Sequence, residues 1–414
     1  MTVVAPITAL LTAARPKAMA ALLRHFRDLD LAEEAVQDAC LRALKTWPQN
    51  GPPRDPAAWL IFVGRNAAID VTRRRAKQTA LPDDELISDT GDAESAIATT
   101  IDENQYRDDI LRLLFVCCHP NLPAAQQIAL ALRIVSGLSV KEIARAFLTS
   151  EDAMEQRITR AKRRIGQAHT PFEAPGAVER AERLGAVASM LYLLFNEGYA
   201  ASGGEAHVRA QLCDEAIRLA RLLLRMFANE PEIMGLAALM LLQHARTVAR
   251  LDAEGAIVLL EDQDRGRWNR AMIGEGLALL DKAMRHRRPG PFQLQAAIAA
   301  LHAQAERAAD TDWKQIAALY GGLLQEQPRA VVELNAAVAL AMAEGPAHGL
   351  QMIARLEGRE ELQGYYLLPA ARADLLRRMG RLGEARAAYA AALALVRNPA
   401  ERGYLERRMG ECGG

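Results

Sequence analysis

Three groups of residues in this sequence have types and spacings that could do chemistry. Cys117, Cys118 and His119 are adjacent and all of metal-ligating type. Neighbouring cysteines on a helix point about 100° apart, and no second ligand cluster lies nearby, so the sequence does not build a zinc site. Glu261, Asp262 and Asp264 stand beside Arg265, Arg267 and Trp268 and could be paired carboxylates for hydrolysis. An acid and base pair needs a cleft with histidine or metal support, which the sequence does not display. A salt-bridged loop or a partner contact accounts for this run better. The third group is made of arginines, lysines and amides at helical spacing, at 59–75 and 149–164, and its chemistry is the binding of anions and bases. No phosphate-binding glycine loop and no Gly-x-Ser-x-Gly elbow occurs. The chain is expected to carry no cofactor and no metal, and not to be an enzyme.

The later basic group needs two helices to position it. Ser139 suits the cap of a first helix whose Ile143, Ala144 and Phe147 share one face. Ala144 is small enough to let a second helix cross closely. Thr149 or Ser150 caps that second helix, and Glu151 and Asp152 sit in its first turn, where the helix dipole favours acids. Met154, Ile158, Ala161 and Ile165 recur at inward spacing, which leaves Glu155, Gln156, Arg157, Thr159, Arg160, Lys162, Arg163 and Arg164 outward. Such a helix-turn-helix suits the major groove, with Gln156 and Arg157 at base edges and Arg160, Arg163 and Arg164 on phosphates. The plainer alternative is a solvated basic face. Leu148 occupies a turn position where glycine is common.

The earlier basic group follows two helical patterns. One starts near Asp28, with Asp30 as cap and Glu33 and Glu34 in the first turn. Its outward acids and Gln37 suit a basic protein partner. A Pro/Gly-rich loop, 47–56, separates it from a helix carrying Trp59, Arg65, Asn66 and Asp70 and ending in Arg73, Arg74 and Arg75. A basic helix beside an aromatic can hold unstacked single-stranded bases, and packing of Trp59 in a core is an equal alternative.

The whole chain has 414 residues and a formal net charge of zero. That length suggests two to four domains. Half of its residues are hydrophobic, a quarter charged and only 5% aromatic, which excludes wholesale disorder and favours helices. The charge is unevenly spread: residues 1–80 carry +5, 81–110 carry −9, 111–170 carry +5 and 171–414 carry −1. Five scattered cysteines fit a reducing compartment. The mildly apolar stretch from Val3 to Ala14 lacks a leading basic region and is not expected to be a signal peptide. The run Ala186–Phe195 is shorter than the roughly 20 residues that span a bilayer, so a cytoplasmic protein with no membrane contact is expected. The resulting organisation is all-α, with units at 1–80 and 106–168, an acidic linker at 81–105 and a helical part at 177–414.

The last hundred residues are weakly self-similar. Ile316, Tyr320 and Leu323, then Gly345 and Leu350, then Gly380, Ala385, Tyr389 and Ala392 recur at offsets of 34 and 35 residues. The final run resembles the second helix of a tetratricopeptide repeat, whose period is about 34. A generic alanine-rich array of helical hairpins is the alternative.

These motifs, in this order, resemble bacterial sigma-70 transcription initiation factors of the small, extracytoplasmic-function kind. The Ala-Glu-Glu-Ala-Val-Gln-Asp run at 32–38 resembles the region-2 helix that docks on the clamp of the polymerase β′ subunit, which implies Glu33, Glu34, Gln37 and Asp38 as its contacts. The run from Ala58 to Arg74 resembles the part that recognises and melts the −10 element, which implies Trp59, Arg65, Asn66, Asp70, Arg73 and Arg74. The block at 138–165 resembles region 4, which reads the −35 element and meets the β flap, and implies Thr149, Ser150, Gln156, Arg157, Arg160, Arg163 and Arg164. The rest resembles a subfamily with a tetratricopeptide-like extension, which the resemblance implies tunes sigma activity, with an intramolecular contact to the sigma domains expected.

Two other functions remain open at this point. A helix-turn-helix regulator with a repeat-type sensor domain would not need the 28–75 block. An enzyme built on an α-solenoid would keep its activity without residues 1–170.

Overall fold

The structure is a computed structural model and describes residues 4–76, 103–119, 121–147, 149–167, 177–199 and 206–413. The expectations for the acidic stretch 81–94, for Leu148 and for the proline-rich boundary at 169–176 lie outside the described residues. Among the described residues the architecture is all-α; its β content is an isolated antiparallel bridge between Leu251 and Ile257. The chain divides into two compact units, Met1–Leu193 and Leu194–Gly414.

The first unit begins with α1 (Val4–Phe26), α2 (Leu29–Asn50) and α3 (Pro56–Ala76), which pack on one another. Ala32, Ala35, Val36, Ala39, Ala43 and Trp47 form the buried stripe of α2 at steps of three and four residues. Its cap is Asp28, whose carboxylate accepts from the N–H groups of Asp30 and Leu31 at 2.9 and 3.0 Å. Asp30 therefore lies inside the helix and does not cap it. The helix also runs through Trp47 and Pro48 to Asn50, where the sequence suggests a loop. Burial of Trp47 adds apolar contact that holds the last turn in place despite the proline. Asp55 then caps α3, accepting from Ala57 and Ala58 N–H. At Gly64 a Cβ would stand 2.9 Å from Leu22 Cδ1 and 3.2 Å from the Ala35 carbonyl oxygen, so only glycine admits this three-helix crossing.

The same unit continues with α4 (Glu103–Cys117), α5 (Ala124–Ala131), a π turn (Leu132–Ser136), α6 (Val140–Ala146) and α7 (Glu151–Gln167). The first of these begins inside the segment expected to be linker. α5 and α6 both pack on α7, while α4 and the π turn pack on α1. Gly137 ends the π turn at φ 77° and touches Arg15 of α1 so closely that a Cβ would fall 2.5 Å from the arginine Cδ. Both the left-handed backbone and the close approach require glycine there.

Helix α8 (Ala177–Tyr199) runs from the first unit into the second. The second unit holds α9 (Ala206–Met226), α10 (Pro231–His244), α11 (Arg270–Met284), α12 (Pro291–Gln304), α13 (Trp313–Glu326), α14 (Ala330–Glu344), α15 (Pro346–Leu356), α16 (Leu367–Arg378), α17 (Leu382–Leu395) and α18 (Pro399–Gly410). Sequential helices pack on one another, and α10 is buried on nearly all sides between α11 and α12. Of the self-similar positions, Ile316, Leu323, Ala385, Tyr389 and Ala392 are buried, Tyr320, Gly345 and Leu350 are half-buried, and Gly380 is exposed.

Candidate nucleic-acid interface

Helices α6 and α7 are set by local chemistry. Ser139 Oγ accepts from Glu142 N–H at 3.2 Å, and Glu142 Oε2 accepts from Ser139 N–H at 2.8 Å, a complete capping box. Thr149 N–H donates to the Ala144 carbonyl at 3.0 Å and fixes the turn. Ser150 caps α7, its hydroxyl accepting from Ala153 N–H at 3.2 Å, which resolves the alternative between Thr149 and Ser150. Met154, Ile158, Ala161 and Ile165 are buried, as their spacing requires.

Gln156, Arg160, Arg163 and Arg164 are exposed together with Glu155 and Thr159. Arg160 Nε donates to the Gln156 carbonyl at 3.1 Å, which lays its guanidinium along the open face. Two residues expected on that face depart from it. Arg157 is half-buried, its guanidinium carbon 6.0 Å from the Phe147 ring centroid. Lys162 turns away toward α2, where Nζ donates to Asp30 Oδ1 and Glu33 Oε2 at 2.6 Å each. Burial by itself lowers the Lys162 ammonium, but these carboxylates hold it above its ordinary value.

On α2 the expected acidic face splits in two. Glu33 is buried rather than outward, with Arg133 Nε 2.6 Å from Oε1 and Gln37 Nε2 donating to the same oxygen at 2.8 Å. Its burial is possible because cations and an amide satisfy both oxygens. Glu34 is exposed, Gln37 is half-buried, and Asp38 pairs with Arg42 at 3.5 Å. Beside them Leu41 and Leu44 are 58% and 41% exposed. Neither leucine stands out in the sequence as a contact residue. Their signal was an apolar pair left over once the Ala/Val stripe had met the core requirement.

On α3, Arg65 and Asn66 are exposed. Trp59 is buried and meets Trp47 edge to face at 5.3 Å, so of its two alternatives core packing holds. Asp70, Arg73 and Arg74 belong to the same helix, but their side chains lie outside the described residues.

The remaining clusters are structural. Burial pushes the Cys118 thiol up to about 12 and raises Cys117 too, so both stay protonated and poor ligands. Among the described residues no group of three or more His, Cys, Asp or Glu is placed to hold a metal ion. In the 261–270 run, Arg265 is buried over the Trp268 ring and donates to the carbonyls of His302 and Ala305. Asp264 accepts from Gly266 N–H, and Glu261 pairs with Arg378 at 3.2 Å. The run is a salt-bridged loop pinned to later helices. None of the described helices is long and apolar enough to cross a membrane.

Comparison with known proteins agrees with this layout. Residues 10–78 match the model for Sigma-70 region 2, residues 112–165 that for Sigma-70, region 4, and residues 183–284 a family of unknown function, DUF6596. The chain is 63% identical over 399 residues to "Uncharacterized protein R00370" of Rhizobium meliloti (strain 1021), covering 96% of this chain and 94% of that protein. No solved structure matches. The two matched regions contain, in chain order, the α1–α3 bundle and the capped helix-turn-helix with its open basic face. The chain carries the sigma-70 region 2 and region 4 domains, which support a sigma factor of the extracytoplasmic-function-like kind that binds core RNA polymerase and promoter DNA.

Proposed function

We propose that this sigma factor divides promoter recognition between two surfaces of its first unit. α2 docks on the clamp of the polymerase β′ subunit through Glu34 and Asp38, with Leu41 and Leu44 supplying the apolar centre that a stable interface needs. Glu33 and Gln37 stand behind them and join the contact when their present partners leave. Arg65 and Asn66, followed along α3 by Asp70, Arg73 and Arg74, contact the −10 element. Trp59 serves that contact by fixing α3 against α2.

Helix α7 reads the −35 element. Gln156 lies in its first half, where a recognition helix meets base edges, and Arg160, Arg163 and Arg164 follow on the open face to take phosphates. Thr149 and Ser150 face the backbone at the helix start, and Arg157 is held ready by Phe147. Region 4 also meets the β flap. The chemistry of RNA synthesis belongs to polymerase, and no metal or cofactor of this chain enters it.

The domains are 1–80, 106–168 and 177–414, joined through the acidic stretch 81–105. The helical extension, read as a tetratricopeptide-like array, modulates initiation from within the cytoplasm and contacts the sigma domains. The single observation that carries the proposal is the exposed Gln156, Arg160, Arg163 and Arg164 face on a helix whose start Ser150 caps. Footprinting of the full chain with core polymerase on promoter fragments tests it. Protection of two separate elements is expected; protection of one block, unchanged when polymerase is omitted, would mark a conventional regulator.

A further inference from the structure

The loop between α10 and α11 of the second unit gathers arginines that have no acid of their own. Among the described residues, the half-buried Arg218, Arg221, Arg359, Arg377 and Arg408 of this unit each stand within 3.3 Å of a carboxylate oxygen. Arg246 and Arg250, equally half-buried, have no such partner, nor has the buried Arg265. Arg246 and Arg250 instead flank the ring of Tyr199, at the end of α8, their guanidinium carbons 5.8 and 3.9 Å from its centroid. Arg250 also donates to the Tyr199 carbonyl, and Phe195 stacks on the Tyr199 ring at 5.4 Å and holds it in place. Arg265 lies over the Trp268 ring, 4.7 Å from its centroid. Asn269 N–H donates to the Ala245 carbonyl at 2.8 Å and joins this turn to the one that carries Arg246. Burial lowers the pKa of Arg265 and of His302, and repulsion from Arg246 lowers both further, so the three groups share one neighbourhood. Asp310, the acid that acts on Arg265, is itself held by Arg307 through two hydrogen bonds at 2.9 Å.

Two neutral donors in this neighbourhood are unused. Tyr199 Oη and Trp268 Nε1 are buried with no hydrogen-bond partner, and Trp268 as a whole is 4% exposed. A buried polar atom left in that state is costly. An indole N–H and a guanidinium can only donate, and a phenol O–H can donate as well. Donors and positive charge together call for a ligand that only accepts, which is an oxyanion. Three guanidiniums without a carboxylate favour a dianion over a single carboxylate. The planar guanidinium fork matches the oxygens of a phosphate in two parallel bonds, and the Tyr199 and Trp268 rings keep the forks oriented.

We propose that Arg246, Arg250 and Arg265, with the Tyr199 hydroxyl and the Trp268 indole N–H, bind a phosphate group, carried as free inorganic phosphate or as a small phosphate monoester. The site lies wholly within the second unit and does not rest on the function read for the first. A bound phosphate neutralises three cations that otherwise repel one another, and so stabilises the loop and the helices it joins. Arg267 and Arg270, exposed on the same stretch, stand outside the site; Arg270 donates back to the Arg265 carbonyl at 3.3 Å.

Calorimetric titration of the full chain with sodium phosphate, at an ionic strength held constant with sodium chloride, tests the site. One saturable site per chain is expected, and the melting temperature of the chain should rise with phosphate. Arg246→Gln should weaken binding about tenfold or more, because a charge-assisted hydrogen bond is lost, and Tyr199→Phe about threefold. Arg267→Gln removes the same charge from the same loop and should leave the affinity unchanged. An equal loss in Arg267→Gln would reveal diffuse attraction to the loop and overturn the site. If Arg246→Gln loses its helical circular dichroism, Tyr199→Phe, which removes a single oxygen, carries the same test. Wild-type affinity in both Arg246→Gln and Tyr199→Phe would put the phosphate elsewhere and overturn the proposal. A second titration, with phenyl phosphate, separates the two sources. Weaker binding than inorganic phosphate supports free phosphate as the ligand, and tighter binding supports a monoester whose organic part lies on the aromatic rings. Succinate is a dianion of another shape, and tighter binding of succinate than of either phosphate overturns the assignment to phosphate. No saturable heat and no rise in melting temperature with either phosphate overturns the site altogether.

Discussion

Trp47 of α2 and Trp59 of α3 meet edge to face, ring centroids 5.3 Å apart at an interplanar angle of 67°. The pair ties the end of α2 to the start of the helix that carries Arg65 and Asn66. If α3 contacts the −10 element as proposed, Trp59 acts on that contact only through the position of the helix. Trp59→Ala should lower the stability of the first unit by about 3–5 kcal/mol, as for other large-to-small core changes. Urea unfolding measures it. A loss under about 1 kcal/mol, with the defect confined to strand opening, would return Trp59 to the surface.

Arg160 and Gln156 should fail in different ways. Arg160→Ala should reduce the slope of log affinity against log salt by about one and weaken all promoters alike. Gln156→Ala should leave that slope alone and relax preference at one base position, by about 1–3 kcal/mol. Binding titrations of holoenzyme at several salt concentrations separate the two. An unchanged slope for Arg160→Ala would place its guanidinium off the phosphates.

Much of this was legible in the sequence because the governing interactions are local. The Ser139 box spans three residues, and Met154, Ile158, Ala161 and Ile165 define a face by spacing alone. Glu33 was not legible as a buried group. Its partner Lys162 lies 129 residues away, and a carboxylate in a first turn looks outward until that partner is known. Trp59 stayed ambiguous for a related reason, since helical spacing does not say which neighbour an aromatic meets. Pro48 suggested a loop, but burial of Trp47 keeps the last turn of α2 helical. Leu41 and Leu44 merged into an apolar pattern whose core share was already filled by smaller residues.

Those two leucines give a separable test of docking. Leu41→Asp or Leu44→Asp, at exposed positions, should change stability by no more than about 0.5 kcal/mol. Each should weaken core polymerase binding about tenfold or more. Equilibrium binding of labelled chain to core enzyme reads this directly. Undiminished affinity in both variants would move the docking surface elsewhere on the first unit.

The second unit should carry its own pH dependence. Burial, with help from Arg246 and Arg265, lowers His302 to about 4 from its usual 6.5. The folded unit keeps this imidazole neutral, while the unfolded chain takes up a proton as pH drops below 6.5. Stability from this group is therefore present above 6.5, falls as pH is lowered toward 4, and is lost below that. The loss should amount to about 1–3 kcal/mol. His302→Gln should flatten that part of the stability curve between pH 7.5 and 4.5. Parallel curves for the two proteins would show that His302 protonates equally well in the folded state.

Promoter-specific transcription from linear DNA is the most direct test of the central claim. Purified core polymerase, with and without the full chain, is given a mixture of genomic fragments, and the run-off products are mapped. Discrete transcripts that start at a small set of promoters only when the chain is present are the expected result. Transcripts identical in position and amount with and without the chain would contradict it.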